Sequence, residues 1–267
     1  MKETSPNWLQ RRLLDGAYHY LLQGKVPITD LGKAFFSVMI DKVKNGELTP
    51  FSEYFGVLGG FKFSIEGLNF LVSLKGKNAL FLENHTTNGP VRGGHWKLFA
   101  TNYVVKQITG KEIRWTFGQD KTTPIESFRG PATKSINAIP VREGNGTEGI
   151  RLMLKAFEDQ ESVGLYPEGN GRKELTKGDP RAGGIILLAA RRNIPIIATA
   201  AWFEKGTCHL KFIPLNNEHI KNLASIPANK DTNRRDIVDY AMIKIATNLP
   251  FQLRGYYKDP QSPVPVK

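Results

Sequence analysis

Between residues 61 and 257 short apolar runs alternate with helical stretches, and two of those runs end in an unusual way. The first is Phe81-Leu82-Glu83-Asn84-His85-Thr86-Thr87-Asn88-Gly89-Pro90. The second is Gly164-Leu165-Tyr166-Pro167-Glu168-Gly169-Asn170-Gly171-Arg172. In each, an apolar run gives way to polar, Gly-containing sequence, the pattern of a buried strand that delivers functional groups at its carboxyl end. One run supplies a histidine and the other a carboxylate and a guanidinium. Together they point to a base and an anion site in one crevice.

The periodicity sets the frame. Phe61, Phe63 and Ile65 alternate with Lys62, Ser64 and Glu66, which reads as a half-buried strand. Further strands are read at 79–83, 113–117, 136–141, 162–166, 195–200 and 208–213. Helices are read at 95–107, 147–160, 181–192 and 231–249. Such alternation predicts an α/β fold: a mixed, largely parallel sheet flanked by helices. The first sixty residues are patterned differently. Ser5-Pro6 opens a helix that Gly24 ends, and Leu31, Phe35, Val38, Met39 and Val43 form a second apolar stripe stopped by Asn45-Gly46. The expected organisation is an N-terminal helical region over 1–60, an α/β domain over 61–257 and a loose, Pro-rich tail over 258–267.

Composition narrows the partners. The 267 residues carry a formal net charge of +12, which favours anionic lipid surfaces, phosphorylated or acidic substrates, or nucleic acid. The Lys and Arg residues are scattered and form no nucleic-acid motif, so no nucleic-acid partner is expected. A single cysteine, Cys208, excludes an internal disulfide. No run approaches the roughly 18 apolar residues of a membrane-spanning helix, and the amino-terminal residues lack a signal-peptide pattern. A cytoplasmic chain without a transmembrane helix is therefore expected. No set of His, Cys and carboxylates stands at ligand spacing, so no metal is expected.

Each candidate residue has a plain structural reading beside the chemical one. His85 directly follows a strand, and a neutral imidazole suits proton abstraction from an alcohol; on its own it would be a loop histidine bonded to a neighbour. In the second run, Gly169 and Gly171 allow close backbone approach, and Arg172 offers a planar fork for phosphate; alone, the segment is a tight turn with a solvated ion pair. Arg142 ends the strand Ile139-Pro140-Val141-Arg142. With Arg172 it would make a two-arginine clamp for a phosphate.

Four of these segments, taken in order, resemble the glycerolipid acyltransferases of the lysophosphatidic acid acyltransferase type. That family reads Asn-His-x4-Asp, an apolar strand ending in Arg, Phe-Pro-Glu-Gly-Thr-Arg-Ser, and a Val-Pro-Val-Val-Pro strand. The counterparts are Asn84-His85, Val141-Arg142, Tyr166-Pro167-Glu168-Gly169 and Ile194-Pro195-Ile196-Ile197, over about residues 65 to 215. Ile65-Glu66-Gly67-Leu68 and residues 249–256 also resemble the family.

The resemblance implies an enzyme that moves a fatty acyl group from acyl-coenzyme A or acyl carrier protein to the hydroxyl of a lysophospholipid. No cofactor is implied beyond that donor. His85 would be the base, Arg142 and Arg172 the anion site, and Glu168 and Gly169 the turn that shapes the acceptor site. Peripheral contact with an anionic membrane, at its inner face, follows from the same likeness and from the charge. Two departures stand out. Pro90 occupies the place of the family's aspartate, so the partner of His85 must be another group: Glu83, which strand alternation sends to the same side as His85, or Asn88 or Asp120. Asn170-Gly171-Arg172 replaces Thr-Arg-Ser, which displaces the arginine by one residue. The missing aspartate leaves two alternatives: a non-catalytic lipid-binding relative, or acyl transfer to a non-glycerolipid acceptor.

Overall fold

A computed structural model describes residues 62–87, 96–119, 136–142 and 146–259, together with residues 41, 42, 45 and 47. The N-terminal helical region expected over 1–60, apart from those four residues, and most of the expected tail lie outside the described residues.

Seven strands form one sheet: β1 (Lys62–Glu66), β2 (Leu80–Glu83), β3 (Ile113–Gln119), β4 (Ile139–Arg142), β5 (Ser162–Leu165), β6 (Ile196–Glu204) and β7 (Thr207–Pro214). Their order is β1-β7-β6-β2-β5-β3-β4. Every pairing is parallel except β6 with β7. The fold is therefore α/β with a mixed, mostly parallel sheet. Helices α1 (Leu68–Ser73), α2 (Trp96–Thr109), α3 (Gly146–Glu158), α4 (Pro180–Arg191), α5 (Asn217–Ser225) and α6 (Lys230–Thr247) flank it. Two 3₁₀ turns, Phe251–Leu253 and Gly255–Tyr257, follow α6.

The alternation along β2 divides the core. Leu80 and Leu82 pack on one face with Met153 and Phe157 of α3, Ile186 of α4 and Ile237 of α6. Ala79 and Phe81 pack on the other with Leu98 and Val105 of α2 and with Trp115. Glu83 follows the Phe81 alternation and so points toward α2. The chain leaves β2 through α2 toward β3, and leaves β5 through α4 across β2 to β6. These departures diverge at the carboxyl ends of β2 and β5, where open α/β sheets form their ligand crevice.

The structure departs from the sequence reading at β6, at β4 and in two further helices. β6 runs on to Glu204 because the hairpin with β7 pairs its distal half, from Ala200 opposite Lys211 to Glu204 opposite Thr207. Lys205 and Gly206, both at positive φ (48° and 77°), make the two-residue turn. β4 begins only at Ile139, since Ile136 and Asn137 form a turn with Asn137 at φ 50°. Helices α1 and α5 were not anticipated. α1 spans only 6 residues, too few to show a period, whereas α5 is announced by Asn216, whose side chain accepts from the Glu218 and His219 N–H groups. Among the described residues no helix is long and apolar enough to cross a membrane.

One close approach governs how the core meets the crevice. A Cβ on Gly164 of β5 would lie 2.6 Å from the Trp115 ring and 2.8 Å from Ile113. The bare glycine lets Trp115 lie flat on β5 and stack on Tyr166 at a centroid distance of 5.3 Å. Gly164→Ala is expected to destabilise the fold by about 1–3 kcal/mol through overpacking. Urea denaturation should show a lower midpoint with an unchanged slope; an unchanged midpoint would refute the close-packing account.

Candidate active site

The site begins where the β2 backbone ladder stops. Glu83 is the last residue of β2 and pairs with Thr199 of β6. Asn84, fully buried, continues the pairing through its amide: Oδ1 accepts from Ala201 N–H (2.7 Å), and Nδ2 donates to the Ala201 carbonyl (2.9 Å) and to Thr86 Oγ1 (2.8 Å). The side chain acts as a substitute strand residue, which frees the backbone at His85 to turn away from β6. The next residues turn to the second segment instead. Thr86 bridges Arg172 in parallel, Thr87 N–H donates to the Arg172 carbonyl (2.7 Å), and Arg172 N–H donates to the His85 carbonyl (3.1 Å). The two motifs read in the sequence thus lie side by side at the ends of adjacent strands.

Glu168 locks this junction. One carboxylate oxygen accepts from the His85 backbone N–H at 2.5 Å, and the other from the Thr176 N–H at 3.2 Å. Its carboxylate serves the loops on both sides of the crevice. Gly169, at φ 75°, closes the turn with a hydrogen bond from its N–H to the Tyr166 carbonyl. The His85 ring stacks on Tyr166 at a centroid distance of 4.1 Å and an interplanar angle of 10°. On the other segment Gly171 crosses the ring: a Cβ there would stand 3.1 Å from Nε2.

Beneath this loop lies a buried charge cluster. Lys97 of α2 is fully buried, and its Nζ donates to the Thr86 hydroxyl (2.7 Å) and the Thr86 carbonyl. Glu83, also fully buried, accepts from the Thr101 hydroxyl one helical turn beyond Lys97 and from Tyr166 Oη (3.5 Å). Burial pushes Glu83 from an ordinary 4.5 to about 7, against the opposing pull of Thr101, the Lys97 charge and Tyr166. Burial likewise takes Glu168 from 4.5 to about 7, opposed by the His85 and Thr176 backbone N–H groups and by Lys97. Lys97 is brought down from 10.5 to about 8 by burial, while Glu83 and Glu168 hold it up. One cation faces two carboxyls, so near neutral pH the group retains a proton between them.

The sequence candidates therefore occupy distinct positions. His85, Glu168, Gly169 and Arg172 come together, with Arg172 exposed beside the histidine. Glu83 lies below them, linked to the His85 ring through Tyr166, whose ring stacks on the imidazole and whose hydroxyl reaches the Glu83 carboxylate. Arg142 ends β4, three strands from β2, about 14 Å away at ordinary strand spacing, and its side chain is outside the described residues. The backbone thus brings Arg172, and not Arg142, to the side of His85. Asn88, Pro90 and Asp120 also fall outside the described residues. Lys97 and Thr101 were missed by sequence reasoning; their spacing of four, which puts them on one face of the helix, was the only available signal, and the helix carries other polar residues besides. Among the described residues no three His, Cys, Asp or Glu side chains cluster as a metal site.

Compared with known proteins, the chain matches no protein-family model and no curated protein.

Two outcomes follow from the buried cluster. The folded state binds more protons than the unfolded chain between pH 4.5 and about 7, through Glu83 and Glu168. Stability should therefore fall as pH rises through that window, on the order of 1 kcal/mol per pH unit per carboxyl. Lys97 binds fewer protons when folded between about 8 and 10.5, so its contribution recovers over that range. Urea midpoints across pH would show the trend, and Glu83→Gln should flatten its acidic limb. Lys97→Met, which strands the two carboxyls, is expected to cost about 3–5 kcal/mol at pH 7 and less at pH 5, where both are protonated. An equal loss at both pH values would rule out charge pairing as the role of Lys97.

Proposed function

We propose that this protein is an acyltransferase. It transfers a fatty acyl group from an acyl thioester of coenzyme A or acyl carrier protein to the hydroxyl of a lysophospholipid or related lipid at a membrane surface. The observation that carries this reading is the adjacency of Asn84-His85 and Tyr166-Pro167-Glu168-Gly169 at one crevice, tied by the Glu168 carboxylate to the His85 N–H at 2.5 Å. The sequence resemblance drew these motifs from distant parts of the chain, and the fold makes them neighbours at the carboxyl ends of adjacent strands.

In the proposed reaction the His85 imidazole takes the proton of the acceptor hydroxyl as its oxygen attacks the thioester carbonyl. A new C–O ester bond forms. The C–S bond then breaks, and the departing thiolate takes back the proton from the imidazolium, leaving histidine neutral. Arg172, exposed beside His85, supplies a guanidinium to the acceptor phosphate. Arg142 is proposed as the second, more distant anion contact. Glu168 and Gly169 shape the acceptor side by fixing the two loops against each other. The orienting role that the family gives to its aspartate falls here to the Tyr166 stack and the Glu83–Lys97 pair beneath it. Asn88 is retained as a further candidate partner of the ring.

The proposed action is at the cytoplasmic face of an anionic membrane, through peripheral contact, a reading that the net charge of +12 supports. A second reading is a lipid-binding relative without turnover, or one acting on a non-glycerolipid acceptor. It is favoured by a single observation: Gly89-Pro90 stands where the family has its carboxylate.

Transfer from acyl-coenzyme A and from acyl carrier protein to a panel of lysophospholipids separates these readings. Wild-type turnover that falls by about 10³-fold or more in His85→Ala is expected for a histidine base. Binding of the lysophospholipids with no turnover in either protein would replace the acyltransferase reading with the binding one.

A further inference from the structure

The carboxyl-terminal turns carry an exposed aromatic pair in a fixed mount beside the crevice. Phe251 is 63% exposed and Tyr256 is 52% exposed. Large apolar side chains held this far into solvent mark an interaction surface when they share a patch with like neighbours and a charged rim. The mount is rigid by construction. Leu175 N–H donates to the Leu253 carbonyl (2.9 Å), and Tyr256 N–H donates to the Leu175 carbonyl (2.9 Å). Gly255 sits at φ 47°, and a Cβ there would collide with Leu175 backbone. Tyr257 is buried, donates its hydroxyl to Asp239 (2.6 Å) and accepts from Gly178 N–H (2.9 Å).

This mount stands at the site end of the sheet. Leu175 belongs to the loop that runs from Arg172 to the start of α4, and Thr176 in the same loop donates to Glu168. The rim is basic: exposed Arg172, Lys173, Lys177 and Lys258 outnumber exposed Glu174 and Asp259. Lys177 Nζ lies 5.5 Å from the centre of the Tyr256 ring, so cation and aromatic share one edge. Lys258 pairs with Glu174 at 2.9 Å, which cancels one charge of each sign and leaves Arg172, Lys173 and Lys177 against Asp259.

We propose that the turns Phe251–Leu253 and Gly255–Tyr257, with Lys173 and Lys177, form a docking edge for an anionic lipid surface. Phe251 and Tyr256 enter the headgroup layer while the lysines meet its negative charge. The edge turns the crevice of His85 and Arg172 toward the bilayer, so that a lipid acceptor reaches it laterally. The inference rests on the reading that the acceptor is a membrane lipid, but it does not require turnover.

The test is co-flotation of the full chain with phosphatidylcholine vesicles and with vesicles containing phosphatidylglycerol. The wild type is expected to bind the anionic vesicles and to release at high salt. Lys173→Glu and Lys177→Glu, both on exposed side chains, should each weaken binding by about fivefold or more. Phe251→Asp with Tyr256→Asp should abolish it with unchanged circular dichroism, while Val72→Asp, on α1 at the other end of the sheet, should not. Wild-type flotation equal to that of the edge variants, or no flotation at all, would overturn the proposal. So would substitutions that weaken binding of acyl carrier protein while leaving vesicle binding intact. Flotation through this edge without acyl transfer would keep this inference and remove the acyltransferase reading. Transfer to a detergent-dispersed acceptor without flotation would do the reverse.

Discussion

A lysine ammonium enters a protein interior only where its lost hydration is replaced, and in this fold Lys97 is fully buried. Its replacement shell is the Thr86 carbonyl and hydroxyl, together with the charge of Glu83 and Glu168. That requirement fixes the loop after β2. Thr86 must reach down to the lysine, so the backbone between Asn84 and Thr87 has little freedom, and His85 is carried at a set height above it. Asn84 secures the same loop from the β6 side and Glu168 from the β5 side. Two buried side chains from elsewhere in the chain, together with that of Asn84 itself, thus hold four consecutive residues. The histidine ring they carry lies face-on against Tyr166.

This arrangement gives a physical answer to the absence of the aspartate that the resemblance leads one to look for. A carboxylate next to the ring would hold the imidazole directly. Here the ring is held by a face-on stack against Tyr166, by the passage of Gly171 along Nε2, and by a backbone tied at both its N–H and its carbonyl. The nearest carboxyl beneath the ring is Glu83, one layer lower, which accepts from the hydroxyl of the Tyr166 that stacks on the imidazole. Charge at that remove stabilises an imidazolium less than a contacting carboxylate does. The stack and the tied backbone contribute orientation, which the proposed base would require.

Much of this was legible in the sequence. The α/β fold followed from alternation alone, because buried parallel strands are short apolar runs and the helices between them carry a strong period. The pairing of His85 with the Glu168 segment was legible as two strand ends of the same form. What lay beyond reading was the third dimension under the loop. Lys97 and Thr101 sit in a helix whose neighbours are apolar, and nothing in a linear pattern says that the face bearing them meets Glu83 rather than solvent. The length of β6 was also hidden, because its distal half is stabilised by β7 and not by its own composition. The expected arginine clamp joins two strand ends whose spacing only the sheet order gives. The sheet order puts β4 at the edge, and the backbone brings Arg172 beside the histidine.

The central claim is that one buried cation and two buried carboxyls, sharing a proton near neutral pH, hold the histidine loop. The most direct test is a carbon-13 carboxyl titration of Glu83 and Glu168 by NMR, with Lys97 Nζ followed in the same samples. The account predicts at least one of the two carboxyls titrating near pH 7 while Lys97 remains charged. Two carboxyls that both titrate near their ordinary value of about 4.3 would contradict it, since the cluster would then be solvated and the loop held by other means.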